Sequence, residues 1–331
     1  MKLFTGTTNP NFSKKIAGHL GLSLGKAKVS KFADGEINII IEDNVRQEDC
    51  YIIQPTCVNY DIGTTVNDSL MELLIMVDAL KRGSARKVVA VIPYYGYSRQ
   101  DRKDYSRAPI SAAVVAKCLE SANINRVIVY DLHAGQIAGF FKNTCPVDNL
   151  YAEKYFKIYI QTEIASKYNN ICIVAPDEGA VKTAFRMSER LNCSTATIFK
   201  SRNKPNEVAI MKLMGDVKDK TCIMIDDIID TGGTICRAAN LLKENGSNEI
   251  FVFAVHGLFS KDAIHKIESS NISSLVVTNT LPHRKKVLEC DKIKVIDVSK
   301  LCAEAIKRSN RGESLKELYE SVEDISEIYG L

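Results

Sequence analysis

The ten cysteines contain no C-x-x-C pair. Several, such as Cys172 and Cys222, sit inside apolar runs, where reduced thiols pack as small hydrophobes. A disulfide framework or a cysteine-held structural metal is therefore not expected. Excess charge of one sign is missing too. Lys and Arg number 44 against 40 Asp and Glu, a net charge of +4, which is too small for a general nucleic-acid or membrane binder. The opening Met1-Lys2-Leu3-Phe4-Thr5-Gly6 has no apolar stretch long enough for a signal peptide or a membrane span. Low-complexity tracts and obvious repeats are absent from the sequence as well. The expectation is a cytoplasmic protein with no nucleic-acid or membrane partner.

What the chain does have is length and a globular composition. Its 331 residues, 45% hydrophobic and 25% charged, exceed one ordinary core and suit two domains. Apolar, β-branched runs recur at Val88–Tyr95, Arg126–His133, Ile171–Pro176, Thr221–Asp226, Glu249–His256, Leu275–Asn279 and Ile293–Val298. Most are continuous rather than alternating, the pattern of strands buried on both faces of a parallel sheet. Helix-period segments lie between them. In Asn67–Gly83 the residues Leu70, Leu73, Leu74, Val77 and Leu80 share a face. Ile110–Ala122 and Ile235–Asn245 read the same way, and a last helix is expected over Leu315–Ile328. The fold class predicted is α/β, with two similar domains that are each a mainly parallel sheet flanked by helices. The boundary falls near Pro146–Tyr151, giving domains 1–148 and 149–331. Such sheets bind ligands beyond the carboxyl ends of their strands.

One strand end stands out. The run Thr221–Ile225 leads into Asp226-Asp227-Ile228-Ile229-Asp230-Thr231-Gly232-Gly233-Thr234, and a helix follows. Gly232 and Gly233 allow a sharp turn that points successive N–H groups at one spot, at a helix N-terminus suited to phosphate. Asp226 and Asp227 beside a phosphate cradle make sense if the ligand also brings vicinal hydroxyls or a bridging Mg²⁺. The plain alternative is that Asp230 or Thr231 caps the helix while the glycines turn the chain. The whole string resembles the phosphoribosyl-binding loop of the phosphoribosyltransferase superfamily, and its D-D-x-x-D-T-G-G-T form is most similar to that of ribose-phosphate pyrophosphokinases.

Other strand ends carry further parts of the same resemblance, which runs from Lys2 to about Ser314. Arg99-Gln100-Asp101 is similar to the family's ATP-holding R-Q-D segment. Asp131-Leu132-His133-Ala134 resembles its D-L-H-A motif, whose histidine contacts Mg²⁺-bound phosphates, and Asp177 matches the partner carboxylate at the metal. Lys200 and Arg202 match the K-x-R pair of a flexible catalytic loop. Phe32-Ala33-Asp34-Gly35-Glu36 resembles the F-x-D-G-E loop, which reaches the ATP site of a neighbouring subunit. Taken without the resemblance, these segments read as a charged surface loop, a structural histidine, an Asx turn, a polar loop and a β-turn.

The resemblance implies transfer of the β,γ-pyrophosphoryl group of ATP to ribose 5-phosphate. Phe32, Asp34, Glu36, Arg99, Gln100 and Asp101 would hold ATP. Asp226, Asp227, Asp230, Thr231, Gly232, Gly233 and Thr234 would hold the sugar phosphate. His133 and Asp177 would serve the metal, and Lys200, Arg202 and His133 the chemistry. It also implies Mg²⁺ as MgATP, with room for a second Mg²⁺, regulation by phosphate or ADP near Gly135, and a homo-oligomer, a hexamer built from dimers. Three other readings stay open, of which a simple nucleotide-binding module fits the fold but leaves the carboxylate-rich loop unexplained. A phosphoribosyltransferase needs the 226–234 loop but not the Arg99–Asp101 and Asp131–His133 segments. A non-catalytic, synthetase-associated regulatory subunit would carry insertions or losses around the Lys200 loop.

Overall fold

The apolar runs of the first half lie side by side as parallel strands. A computed structural model describes residues 1–201 and 210–320. Its chain divides into two units: Met1–Tyr151 with Asn279–Pro282 and the segment from Asp297 onward, and Ala152–Thr278 with His283–Ile296.

The first unit contains β1 (Lys2–Thr5), α1 (Pro10–Leu20), β2 (Ala27–Lys31), β3 (Ile37–Ile41), β4 (Asp49–Ile53), α2 (Val66–Arg82), β5 (Lys87–Ile92), α3 (Ser111–Ser121), β6 (Arg126–Tyr130) and β7 (Val147–Leu150). Its main sheet has the order β1-β4-β5-β6-β7 with every pairing parallel. Phe4, Val88 and Val127 are fully buried on one face of the sheet with Leu73, Met76 and Leu119, and Leu3, Val89 and Ile128 are buried on the other, so both faces of the strands are covered, as continuous apolar runs require. β2 and β3 form a separate antiparallel hairpin. Helix α2 starts where a capping box forms. The Thr65 hydroxyl accepts from Asp68 N at 3.1 Å, and Asp68 Oδ2 accepts from Thr65 N at 2.8 Å.

The second unit contains α4 (Glu153–Tyr159), β8 (Ile171–Ala175), α5 (Val181–Leu191), β9 (Ser194–Ser201), β10 (Ile210–Met214), β11 (Thr221–Ile229), α6 (Gly233–Glu244), β12 (Ile250–Gly257), α7 (Ala263–Glu268), β13 (Ser274–Thr278), α8 (Lys285–Leu288) and β14 (Ile293–Ile296). Its sheet runs β10-β9-β8-β11-β12-β13-β14, and only the β10–β9 pair is antiparallel. The chain then returns to the first unit as α9 (Ser299–Arg311), followed by α10 (Glu317–Glu320).

Both units are thus mainly parallel sheets flanked by helices, as the sequence predicts. Three details differ. Strand β11 does not stop at Asp226; Ile228 and Ile229 continue the ladder opposite His256 and Gly257 of β12, and Ile229 is buried in the core. Residues 297–320, expected in the second domain, lie in the first unit. There Lys15 Nζ pairs with Asp297 Oδ2 at 2.5 Å, and Tyr130 OH donates to Val298 O at 2.6 Å. Of the last expected helix only Glu317–Glu320 is helical among the described residues, and 321–328 lie outside them.

Candidate active site

The second unit places the carboxylate-rich string where β11 meets α6. Asp226 and Asp227 are the sixth and seventh residues of the strand, and Asp226 Oδ1 accepts from Asp227 N at 2.9 Å. Asp230 and Thr231 turn the chain, and Gly232 takes φ +71, a left-handed conformation that glycine adopts without penalty. Gly232 also stands at the cap position of α6, where it brings no side chain. The plain reading of Asp230 or Thr231 as a helix cap is therefore not what the structure contains. The 12-residue α6 presents its N-terminal N–H groups beside the loop instead, the geometry that favours a bound phosphate. A second loop backs this one. Leu258 N donates to Ile229 O at 2.8 Å, and Ser260 N donates to Asp230 O at 3.0 Å.

Asp177 belongs to the same unit, immediately beyond β8. Its Oδ1 accepts from Ala180 N at 3.2 Å, so it caps the short helical turn Glu178–Ala180 instead of making the Asx turn that the sequence allowed. It also lies close enough to Asp226 to act on it electrostatically. Burial removes hydration from the Asp226 carboxylate, and the charges of Asp227 and then Asp177 repel it further, so its pKa is held well above the usual carboxylate range. Negative charge gathered this way fits a cation bound together with the ligand, in the manner of Mg²⁺ that keeps part of its water. Among the described residues no three His, Cys, Asp or Glu side chains form a metal-holding group of their own.

The first unit carries the proposed ATP-binding candidates and His133 at three places. Phe32–Glu36 is the tip of the β2–β3 hairpin. Phe32 N donates to Glu36 O at 2.8 Å, Glu36 N donates to Asp34 Oδ1 at 3.1 Å, and Gly35 has φ +97. This tight turn leaves Phe32 55% exposed, a large apolar ring held in solvent. Arg99, Gln100 and Asp101 follow β5. Ala112 N donates to Gln100 O at 3.1 Å, and Ser111 Oγ donates to Gln100 Oε1. His133 follows β6, is exposed, and comes two residues after Asp131, whose φ is +36.

Contacts tie these places together. Gln136 Nε2 donates to Asp101 Oδ2, linking the loop after β5 to the turn that follows His133. The first turn of α2 touches two of the elements. Asn67 Oδ1 accepts from Tyr97 OH, and Asp68 Oδ2 pairs with Lys31 Nζ at 3.0 Å at the root of the hairpin. Gln136, Asn67 and Asp68 were not among the residues singled out from the sequence. Their roles depend on which elements become neighbours, and no periodicity or spacing carries that. His133 and Asp177 stand on different units. Lys200 lies at the end of β9, and Arg202 falls outside the described residues.

Comparison with known proteins covers both units. Residues 1–122 match the N-terminal domain of ribose phosphate pyrophosphokinase, and residues 199–320 match the phosphoribosyl synthetase-associated domain. Ribose-phosphate pyrophosphokinase A of Dictyostelium discoideum is 46% identical over 323 residues, spanning 96% of this chain and 98% of its own. Ribose-phosphate pyrophosphokinase 2 of Schizosaccharomyces pombe is 44% identical over 319 residues, 96% and 97% of the two chains. A crystal structure of phosphoribosylpyrophosphate synthetase from Mycobacterium smegmatis superposes with a TM-score of 0.87 at 36% identity, covering 94% of this chain and 99% of that one.

Proposed function

Because this chain belongs to the ribose-phosphate pyrophosphokinase family, we propose that it transfers the pyrophosphoryl group of MgATP to the anomeric hydroxyl of ribose 5-phosphate. The products are AMP and 5-phosphoribosyl 1-pyrophosphate, a precursor for nucleotide biosynthesis. The observation that supports this reading best is the loop between β11 and α6. It has carboxylates suited to sugar hydroxyls just ahead of a helix N-terminus suited to a phosphate.

In the proposed reaction the anomeric hydroxyl attacks the β-phosphorus and AMP leaves in line, so catalysis is positioning plus charge stabilisation. Asp226, Asp227 and Asp230 receive the sugar hydroxyls, and Thr231, Gly232, Gly233 and Thr234 hold the 5-phosphate. Phe32 lies against the adenine, Asp34 and Glu36 meet its polar edge, and Arg99 and Gln100 hold the nucleotide. Asp101 supports that loop through Gln136. Mg²⁺ would screen the phosphate charges, with Asp177 and His133 the residues to hold it. Lys200 and Arg202 stabilise charge that develops on the transferred group. Regulation by phosphate or ADP near Gly135 and assembly into a hexamer of dimers belong to the same proposal.

A ³¹P NMR time course with ATP, ribose 5-phosphate, Mg²⁺ and inorganic phosphate tests it. Equal growth of AMP and a sugar-linked pyrophosphate is the expected result. ADP as the sole nucleotide product would sink attack at the β-phosphorus. Bound ATP without turnover would favour a regulatory subunit instead.

A further inference from the structure

We propose that Thr56, which touches no substrate group itself, is the positioning residue that sets the shape of the Gly96–Asp101 loop; the proposal rests on the reading of Arg99, Gln100 and Asp101 as ATP-binding. Thr56 lies just beyond β4 and is 1% exposed. It grips the end of the neighbouring strand with three hydrogen bonds. Its backbone N donates to Tyr94 O at 2.9 Å, its hydroxyl donates to the same carbonyl at 3.1 Å, and that hydroxyl accepts from Gly96 N at 2.6 Å. Only a group that donates and accepts at one point can close both sides of Tyr95 in this way.

The backbones are in contact here as well. A Cβ on residue 96 would stand 2.3 Å from Thr56 O, so the position admits only glycine without a shift of backbone. The next residue, Tyr97, has φ +65, a conformation that bulky residues rarely adopt. Its hydroxyl is fixed to Asn67 in the first turn of α2. Strain of this kind persists only where surrounding bonds over-determine it, and it concentrates at ligand clamps. Thr56 holds the residue before the strained one, and Asn67 holds the strained residue itself. Arg99 follows two residues later, so its direction depends on this bend.

Removing the hydroxyl should therefore misplace the loop and weaken the nucleotide, not the sugar. The variants are Thr56→Val, Thr56→Ser and Arg99→Ala, each characterised by kcat, KM for ATP, KM for ribose 5-phosphate and Tm. Thr56→Val leaves the buried Gly96 N without its acceptor. It is expected to raise KM for ATP about tenfold or more, with KM for ribose 5-phosphate changed by less than about twofold. Thr56→Ser, which keeps the hydroxyl, is expected to return KM for ATP to near the wild-type value. Arg99→Ala separates the two ideas. If it leaves KM for ATP unchanged, the ATP reading of the loop fails, and the clamp fails with it. If Arg99→Ala raises KM for ATP while Thr56→Val lowers only Tm, Thr56 is structural and the positioning role is overturned. Should Thr56→Val not fold, Tyr97→Phe removes only the exposed hydroxyl bonded to Asn67. A raised KM for ATP would then support the clamp, and an unchanged one would overturn it.

Discussion

Asp49 opens β4 with its carboxylate nearly out of solvent, and Arg86 Nε and Nη2 donate to its two oxygens at 2.7 and 2.8 Å. The hydrogen bond from that guanidinium is the largest influence on the group and holds its carboxyl below the usual range, against the opposing effect of burial. A depressed folded-state pKa gives stability that is present above the unfolded value of about 3.9 and is lost as pH falls through the folded one. Urea midpoints measured from pH 6 down to 2 are therefore expected to fall below about pH 4, and less steeply for Asp49→Asn. Since Arg86 is largely exposed, the substitution is expected to cost about 1 kcal/mol at neutral pH. A pH dependence identical to wild type would remove the pair from the acid response. The proposed chemistry is tested at the residue scale through Lys200. Lys200→Ala is expected to lower kcat about 100-fold or more, by analogy with a lost oxyanion donor, while isothermal titration finds ribose 5-phosphate affinity nearly intact. A variant that keeps its kcat would take Lys200 out of the mechanism.

At the scale of elements, the start of α2 serves two purposes. Thr65 and Asp68 cap the helix, and Asp68 also receives Lys31 from the root of the β2–β3 hairpin. Thr65→Ala is expected to cost about 1 kcal/mol in a urea titration, the usual loss for a cap. Asp68→Ala should cost more, because it removes the hairpin tether together with half of the capping box; equal losses would show that the tether contributes nothing. The helix itself was legible in advance. Leu73, Val77 and Leu80 point one way at helical spacing, and the predicted Asn67–Gly83 lies within a residue of Val66–Arg82. The buried parallel strands were equally legible, since runs such as Arg126–Tyr130 are apolar and buried after their first residue. The antiparallel β2–β3 hairpin was not. Ala27–Lys31 is mixed in polarity and Ile37–Ile41, though mostly Ile, is only half-buried, so their pairing depends on a turn and on α2, not on a buried run. For the candidate site, the proposed residues could be picked out in advance because their motifs follow apolar, strand-like runs. Gln136, Asn67 and Thr56 could not, because they matter only through partners distant in sequence.

The whole molecule is threaded so that neither half of the sequence corresponds to one unit. Residues 1–151 lack α9, which packs on α1 and brings Asp297 to Lys15 and Val298 to Tyr130. A fragment ending at Tyr151 is expected to melt without a cooperative transition by circular dichroism, because Tyr130 and the covered face of α1 lose their partners. A sharp melt near that of the full chain would show that α9 adds little. The proposed hexamer also belongs at this scale, and light scattering of the purified protein is expected to give the mass of six chains. A fully active single chain would contradict it.

The late return of α9 has a consequence for synthesis on the ribosome. The first unit begins at Met1, yet its closing helix is not made until Arg311. At ordinary elongation rates the interval from Tyr151 to Arg311 lasts roughly 10–30 s. During that time the nascent N-terminal sheet is finished but uncovered over α1, and the second unit emerges between the first and last segments of the first. Birth order and completion order are therefore reversed: the unit started second can close first. A chaperone that recognises exposed apolar surface would find its longest opportunity in the N-terminal third of the nascent chain.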